Sequence, residues 1–294
     1  MSSAQILSPP RGMPGVSQVD ALLGRGPRQS APHGSAARGA TTLLMASGRG
    51  GSGTSLVSLL FAVAAAGDGR RVLLVDADDF VGPLALTLGL QVRASWRDLR
   101  GGRLAPAEVA TPVSTTLTLV AGGAPRLGTD ALALTAAERR ACLRRLAVLA
   151  DGMDLVVIDC GARLDTVLAA ITPHADERLV AIAAGSDPVG LASTYALCKA
   201  VHARHAALPM DVLVNRHEGS DAARCFDTID AGARQFLGVP LRLAGAVPDD
   251  PTLDAALRAG MPFSHAAAGS PAANAAHDVV MRALTTAALS RSGT

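Results

Sequence analysis

From Thr41 onward, short apolar runs alternate with longer amphipathic stretches, and this alternation limits the chain to very few architectures. The runs are Thr42 to Ala46, Val72 to Asp76, Leu117 to Ala121, Leu155 to Asp159, Leu179 to Ala184, Val212 to Asn215 and Leu243 to Val247. Helical spacing appears between them, at Ser55 to Ala66, Ala136 to Ala150, Asp165 to Ile171, Leu191 to Ala206, Ala222 to Leu237 and Leu253 to Ala259. Strands that are apolar throughout are buried on both faces, so the pattern predicts an α/β fold with a doubly wound, mainly parallel sheet flanked by helices. In such sheets ligands sit at the carboxyl ends of the strands. Residues 1–40 are rich in Pro, Gly, Ser and Arg and are expected to form a disordered tail. Within them Val19, Ala21, Leu22 and Leu23 form a brief apolar cluster, either a docking helix or a stretch of tail with no role. Residues 41–294 are expected to form one domain, since 294 residues with 49% hydrophobic content can bury a single sizeable core.

The formal net charge is +2, which removes any global electrostatic argument for nucleic acid. Cys142, Cys160, Cys198 and Cys225 are widely separated and follow no C-x-x-C spacing, so neither a zinc site nor a disulfide framework is expected. No apolar run reaches the roughly 18 residues of a membrane span, and the start of the chain lacks the order of a signal peptide. A cytoplasmic protein is the expectation. Lys199 is the only lysine; the other basic residues are arginines, a bias of the kind a genome imposes.

After the first strand come Gly48-Arg49-Gly50-Gly51-Ser52-Gly53-Thr54-Ser55 and an apolar helix. Strand, glycine-rich loop and helix in that order match the phosphate-binding motif G-x-x-x-x-G-K-[ST], with Thr54 in place of the lysine. The glycines allow the loop to turn backbone N–H groups around an anion, and the helix N-terminus adds its positive dipole end. Ser55 would offer a hydroxyl to Mg²⁺. The alternative is a plain glycine-rich turn. Two further strands end in carboxylates, at Asp76-Ala77-Asp78-Asp79 and at Asp159-Cys160-Gly161. Four apolar residues ending in Asp159 have the form of a second nucleotide motif, in which the carboxylate holds the Mg²⁺ shell. Strand-end aspartates also cap following helices, so the strength lies in three signals occurring in the expected order.

The run Arg49-Gly50-Gly51-Ser52-Gly53-Thr54-Ser55 resembles the deviant loop K-G-G-x-G-K-[ST] of the MinD/ParA ATPases, with both family lysines replaced. The resemblance continues through Val72 to Asp78, Ile158 to Ala162, Val214-Asn215-Arg216 and Gly245 to Asp250. It is nearest to the FlhG (FleN) subgroup, regulators of flagellar number and placement, through Leu237-Gly238, Pro262-Phe263 and Ser270 to Ala273. The resemblance implies ATP or ADP with Mg²⁺. It implies that Gly50, Gly51, Ser52 and Gly53, followed by Thr54, cradle the phosphates, that Ser55 and Asp159 manage the metal, and that Asp78 orients the attacking water. It further implies that Asn215 reads the adenine edge, where otherwise it would close a turn, and that Val247 and Pro248 line the base pocket. Arg49 stands where the family's signature lysine reaches the partner's nucleotide in a nucleotide-dependent homodimer.

Thr54 carries no charge for the phosphoryl oxygens, and phosphoryl transfer depends chiefly on such charge. An arginine-rich genome explains Lys→Arg at position 49 but not Lys→Thr at position 54. The expected function is therefore an ATP-binding regulatory switch with impaired or lost hydrolysis, acting on flagellar or polar proteins. Alternatives are a slow ATPase using Arg49, a nucleotide-free scaffold, and a binder of non-specific DNA. For the last, Arg139, Arg140, Arg144 and Arg145 would form part of a patch, against their being a solvated helix face; DNA is not the expected partner. Residues 277–291 lack the strong basic and bulky apolar faces of an interfacial helix, so membrane contact is expected to be weak or absent, with any membrane or polar placement peripheral.

Overall fold

The computed structural model describes residues 39–79, 82–123, 134–172, 176–219 and 221–292. The expected tail and its apolar cluster lie outside these, apart from Gly39 and Ala40. Chain order is β1 (Thr41–Ser47), α1 (Thr54–Gly67), β2 (Val72–Asp76), α2 (Pro83–Thr87), two 3₁₀ turns, β3 (Ala110–Pro112) and β4 (Leu117–Val120). Then follow α3 (Ala136–Arg145), β5 (Leu155–Asp159), α4 (Leu164–Ala170), β6 (Glu177–Ala184), α5 (Pro188–His202) and β7 (Met210–His217). The chain finishes with α6 (Asp221–Leu237), β8 (Arg242–Pro248), α7 (Pro251–Arg258), α8 (Phe263–Ala267) and α9 (Pro271–Ser292).

The strands form one sheet in the order β3-β4-β2-β5-β1-β6-β7-β8. Every pair is parallel except β3 with β4. The expected doubly wound sheet is present. The strand missing from the sequence reading is β3, which is three residues long and contains Pro112; proline is tolerated there because β3 is an edge strand. The helix expected over Ala136 to Ala150 ends at Arg145 and continues as a 3₁₀ turn over Leu146–Ala150.

Side chains of β1 alternate between two cores, as strand geometry requires. Leu43 and Met45 pack with Val57 and Phe61 of α1 and Val279 and Val280 of α9. Leu44 and Ala46 face the other layer, with Leu143 of α3, Val167 of α4, Cys198 of α5 and Ile229 of α6. Helix α1 is buried on most sides because α9 covers it from outside through Ala272, Ala276, Val279, Val280 and Leu284. The small apolar residues near the end of the chain are thus core residues. No helix among the described residues is long and apolar enough to cross a membrane. With β1 in the middle, the loops after β1, β2 and β5 meet at one end of the sheet.

Candidate nucleotide site

The loop after β1 turns on Gly51 and Gly53, with φ of 81° and 80°. Gly53 needs its glycine twice over: the left-handed conformation favours it, and a Cβ there would fall 2.4 Å from Asn215 Nδ2. That amide donates to the Ser52 carbonyl at 2.8 Å, so β7 holds the loop in shape. Helix α1 starts with no capping side chain and no acidic residue in its first turn. By contrast Thr135, Asp187 and Asp250 cap α3, α5 and α7. The free N–H groups at the start of α1 are therefore available to an external anion.

Thr54 lies beneath the loop and is buried. Its hydroxyl donates to Ser47 Oγ at 2.9 Å, and the Ser47 hydroxyl donates to the Arg49 carbonyl at 2.8 Å. The two hydroxyls brace the loop from below and bring it no charge. Arg49 itself pairs with Asp187 at 2.7 Å, across the start of α5.

The carboxylates gather on the other side of the loop. Asp76 and Asp159 are register partners at the ends of β2 and β5, and both are buried. Burial pushes the Asp159 carboxyl up to about 6, and the Asp78 charge adds to the rise; hydrogen bonds from the Ser55 hydroxyl and the Gly161 N–H oppose it. Asp76 is pushed well above the carboxylate range by burial and then by Asp159, despite the N–H groups of Leu84 and Asp78 at 3.0 and 3.2 Å. Gly82 crowds this carboxylate; a Cβ on it would lie 2.9 Å from Asp76 Oδ2. No group of three His, Cys, Asp or Glu among the described residues forms a complete metal site. Mg²⁺ is commonly held by one or two protein oxygens completed by ligand phosphates and water. Ser55 and Asp159, held against one another, are suitable oxygen donors for such an ion.

Asn215, Val247 and Pro248 do come together, around a cavity of about 20 Å³ that has room for little more than one water. A base reaches Asn215 only if neighbouring side chains shift. A wider cavity of about 620 Å³ opens beside it, past Ser55, Leu56, Leu84 and Met261. Arg216 borders both, with φ of 54° and its guanidinium 2.9 Å from Asp254. A left-handed non-glycine residue costs roughly 1–2 kcal/mol.

Behind the site lies an ion-pair network that the sequence did not disclose. Arg139 Nη2 binds Asp79 at 2.7 Å and its Nη1 binds Asp165 at 2.7 Å; Arg163 bridges the same two carboxylates at 3.1 and 2.9 Å. Arg139 and Asp79 are buried, and the Asp165 carboxyl is held below its usual range, mainly by the Arg163 hydrogen bond. The four arginines noted on α3 therefore separate. Arg139 is internal, Arg145 donates to the Leu99 and Leu104 carbonyls, and Arg140 and Arg144 stay exposed.

Residues 43–263 match the family described as the CobQ/CobB/MinD/ParA nucleotide binding domain. The antiactivator FleN of Pseudomonas aeruginosa is 26% identical over 218 residues, covering 72% of this chain and 74% of that protein. Among solved structures, the cell division ATPase MinD of Pyrococcus furiosus aligns with a TM-score of 0.65 and 21% identity, over 83% of this chain and 98% of that one. The septum site-determining protein MinD of Pyrococcus horikoshii, solved with Mg-ADP, aligns with a TM-score of 0.66 and 20% identity, over 82% and 94%.

Proposed function

Because this chain belongs to the CobQ/CobB/MinD/ParA nucleotide-binding family, we propose that it is an ATP-binding regulatory switch in which hydrolysis is weak or lost. The carrying observation is the start of α1, which lies under a glycine loop with no capping side chain, opposite the Ser55–Asp159 pair. Gly50, Gly51, Ser52 and Gly53 cradle the phosphates through backbone N–H groups. Ser55 and Asp159 hold Mg²⁺, which supplies charge neutralisation at the phosphates. Asp78, whose charge is felt at Asp159, orients water. Asn215, Val247 and Pro248 form the base side once the small cavity opens. With Thr54 engaged on Ser47, the phosphates lack the cation that a lysine would bring, which favours binding and release over turnover.

The similarity to the antiactivator FleN supports a regulatory role, and the family resemblance of the loop adds flagellar or polar proteins as partners and a nucleotide-dependent homodimer in the cytoplasm. In that dimer Arg49 leaves Asp187 and reaches toward the partner's nucleotide. The test is a calorimetric titration with ATP and ADP, with and without Mg²⁺, together with light scattering. Mg²⁺-dependent binding is expected, and at 100-fold excess over Kd it stabilises the protein by about 2.7 kcal/mol. Asp159→Asn should weaken Mg²⁺·ATP far more than metal-free ADP. Equal losses would make Asp159 purely structural, and no response at millimolar nucleotide would leave a nucleotide-free scaffold.

A further inference from the structure

We infer that Arg216 supplies the phosphate-facing charge that Thr54 does not, and that its ion pair with Asp254 is the resting state which nucleotide phosphates displace. The inference rests on the nucleotide-binding reading above and names a residue to which that reading gave no role.

Position is the first argument. Arg216 follows Asn215, whose amide is fixed to the Ser52 carbonyl at 2.8 Å, so its backbone is tied to the loop. Arg216 Nε lies 3.8 Å from where a Cβ on Gly53 would be, directly over the last residue before α1. The side chain borders the cavity beside Val247 and Pro248 as well as the one that opens past Ser55. A base held on the β7–β8 side therefore places its nearest phosphates under this guanidinium.

Availability is the second. Asp254 keeps a second partner in Arg258 at 3.4 Å, so releasing Arg216 leaves no unpaired carboxylate. Arg49 is releasable too, since Asp187 keeps the Val189 and Gly190 N–H groups at 3.2 and 3.1 Å, but the proposed function already directs it to the partner's nucleotide. The Arg216–Asp254 pair is also part-exposed, and such pairs are weak. Diphosphate oxygens offer the guanidinium a bidentate, more highly charged partner.

Conformation is the third. Arg216 is the only non-glycine residue with positive φ among those described, and it lies at a register shift between Asn215 and His217. Glycine would occupy that backbone without strain, and an arginine kept in a strained conformation beside a cavity points to a use for its side chain.

The experiment is calorimetry of Mg²⁺·ADP and Mg²⁺·ATP on the full chain and on Arg216→Gly, Arg216→Lys and Asp254→Asn, with a melting curve for each free protein. Arg216→Gly should weaken ADP and ATP by the same factor, about tenfold or more, because the contact is made to the phosphates nearest the base. Its free protein should melt no lower than the parent, since the glycine removes backbone strain. Arg216→Lys should fall between, and Asp254→Asn should tighten both nucleotides several-fold by removing the competitor. An Arg216→Gly protein that binds ADP like the parent, or Asp254→Asn binding more weakly than the parent, overturns the inference and leaves the switch reading intact. A parent chain that binds neither nucleotide overturns both.

Discussion

Thr54 is a small, buried, neutral side chain at the loop position where the proposed phosphate site would call for a cation. Its hydroxyl is engaged with Ser47, and Ser47 in turn holds the Arg49 carbonyl, so the loop keeps its shape without a lysine crossing it. Thr54 therefore separates two tasks: the loop's geometry is kept by hydroxyls and glycines, while the charge a lysine would bring is not carried by residue 54 itself. Thr54→Lys tests this separation. The ammonium should raise ATP affinity about tenfold or more, a charge-assisted contact being worth on the order of 1.5–3 kcal/mol, with a smaller gain for ADP. The free protein should lose on the order of 1 kcal/mol with the Thr54–Ser47 hydrogen bond. Paired titrations, melting curves and a phosphate-release assay on both proteins measure these effects. Unchanged ATP affinity in a folded variant would mean that position 54 does not communicate with the phosphates.

Between elements, the Asp79–Arg139–Asp165–Arg163 network joins the segment after β2 to α3 and α4, so the two carboxylate-bearing loops are fastened to one another behind the site. Removing Arg139 would strand Asp79 in a buried position with only the half-exposed Arg163 to balance it. Arg139→Ala is therefore expected to cost about 3–5 kcal/mol, while Arg140→Ala, one residue away on the exposed face, should change stability by no more than about 0.5 kcal/mol. Urea unfolding of the two variants decides the matter, and equal small losses would mean that Asp79 is satisfied without Arg139. This network also marks the limit of what the sequence discloses. Runs such as Val72–Asp76 and Leu155–Asp159 are recognisable because each strand is apolar throughout, and the loop because its glycines are required by backbone geometry. An ion pair between Asp79 and Arg139 spans 60 positions and has no local signature, and neither does the meeting of Arg216 with Asp254. Strand β3 is too short and too proline-marked to show a period, and α9 resembles a weak amphipathic tail until α1 is seen beneath it.

At the scale of the whole molecule, stability carries a pH dependence set at the end of the sheet away from the loop. Glu177, the first residue of β6, is paired in register with Thr42 near the start of β1 and is buried. Burial pushes its carboxyl up to about 7, against hydrogen bonds that it accepts from the Thr172 N–H at 3.0 and 2.9 Å and from the Thr172 hydroxyl at 3.1 Å. An acid whose value is raised by folding is protonated in the native state while the unfolded chain has already ionised. Below about 4.5 both states hold the proton and Glu177 contributes no pH slope. As pH rises toward about 7 the native state is progressively disfavoured, by up to about 1.4 kcal/mol per unit, and above that the loss is complete at on the order of 3 kcal/mol. Asp159 is shifted in the same direction, so the parent protein should lose stability with rising pH through this window from at least two groups. Glu177→Gln keeps the side chain's shape and an acceptor for Thr172 but has no proton to lose. It should flatten the profile between pH 4.5 and 7 and leave the variant the more stable protein at pH 8. Denaturant midpoints measured across pH 4 to 8 provide the comparison, and parallel profiles for the two proteins would show that Glu177 ionises in the fold as readily as in the unfolded chain.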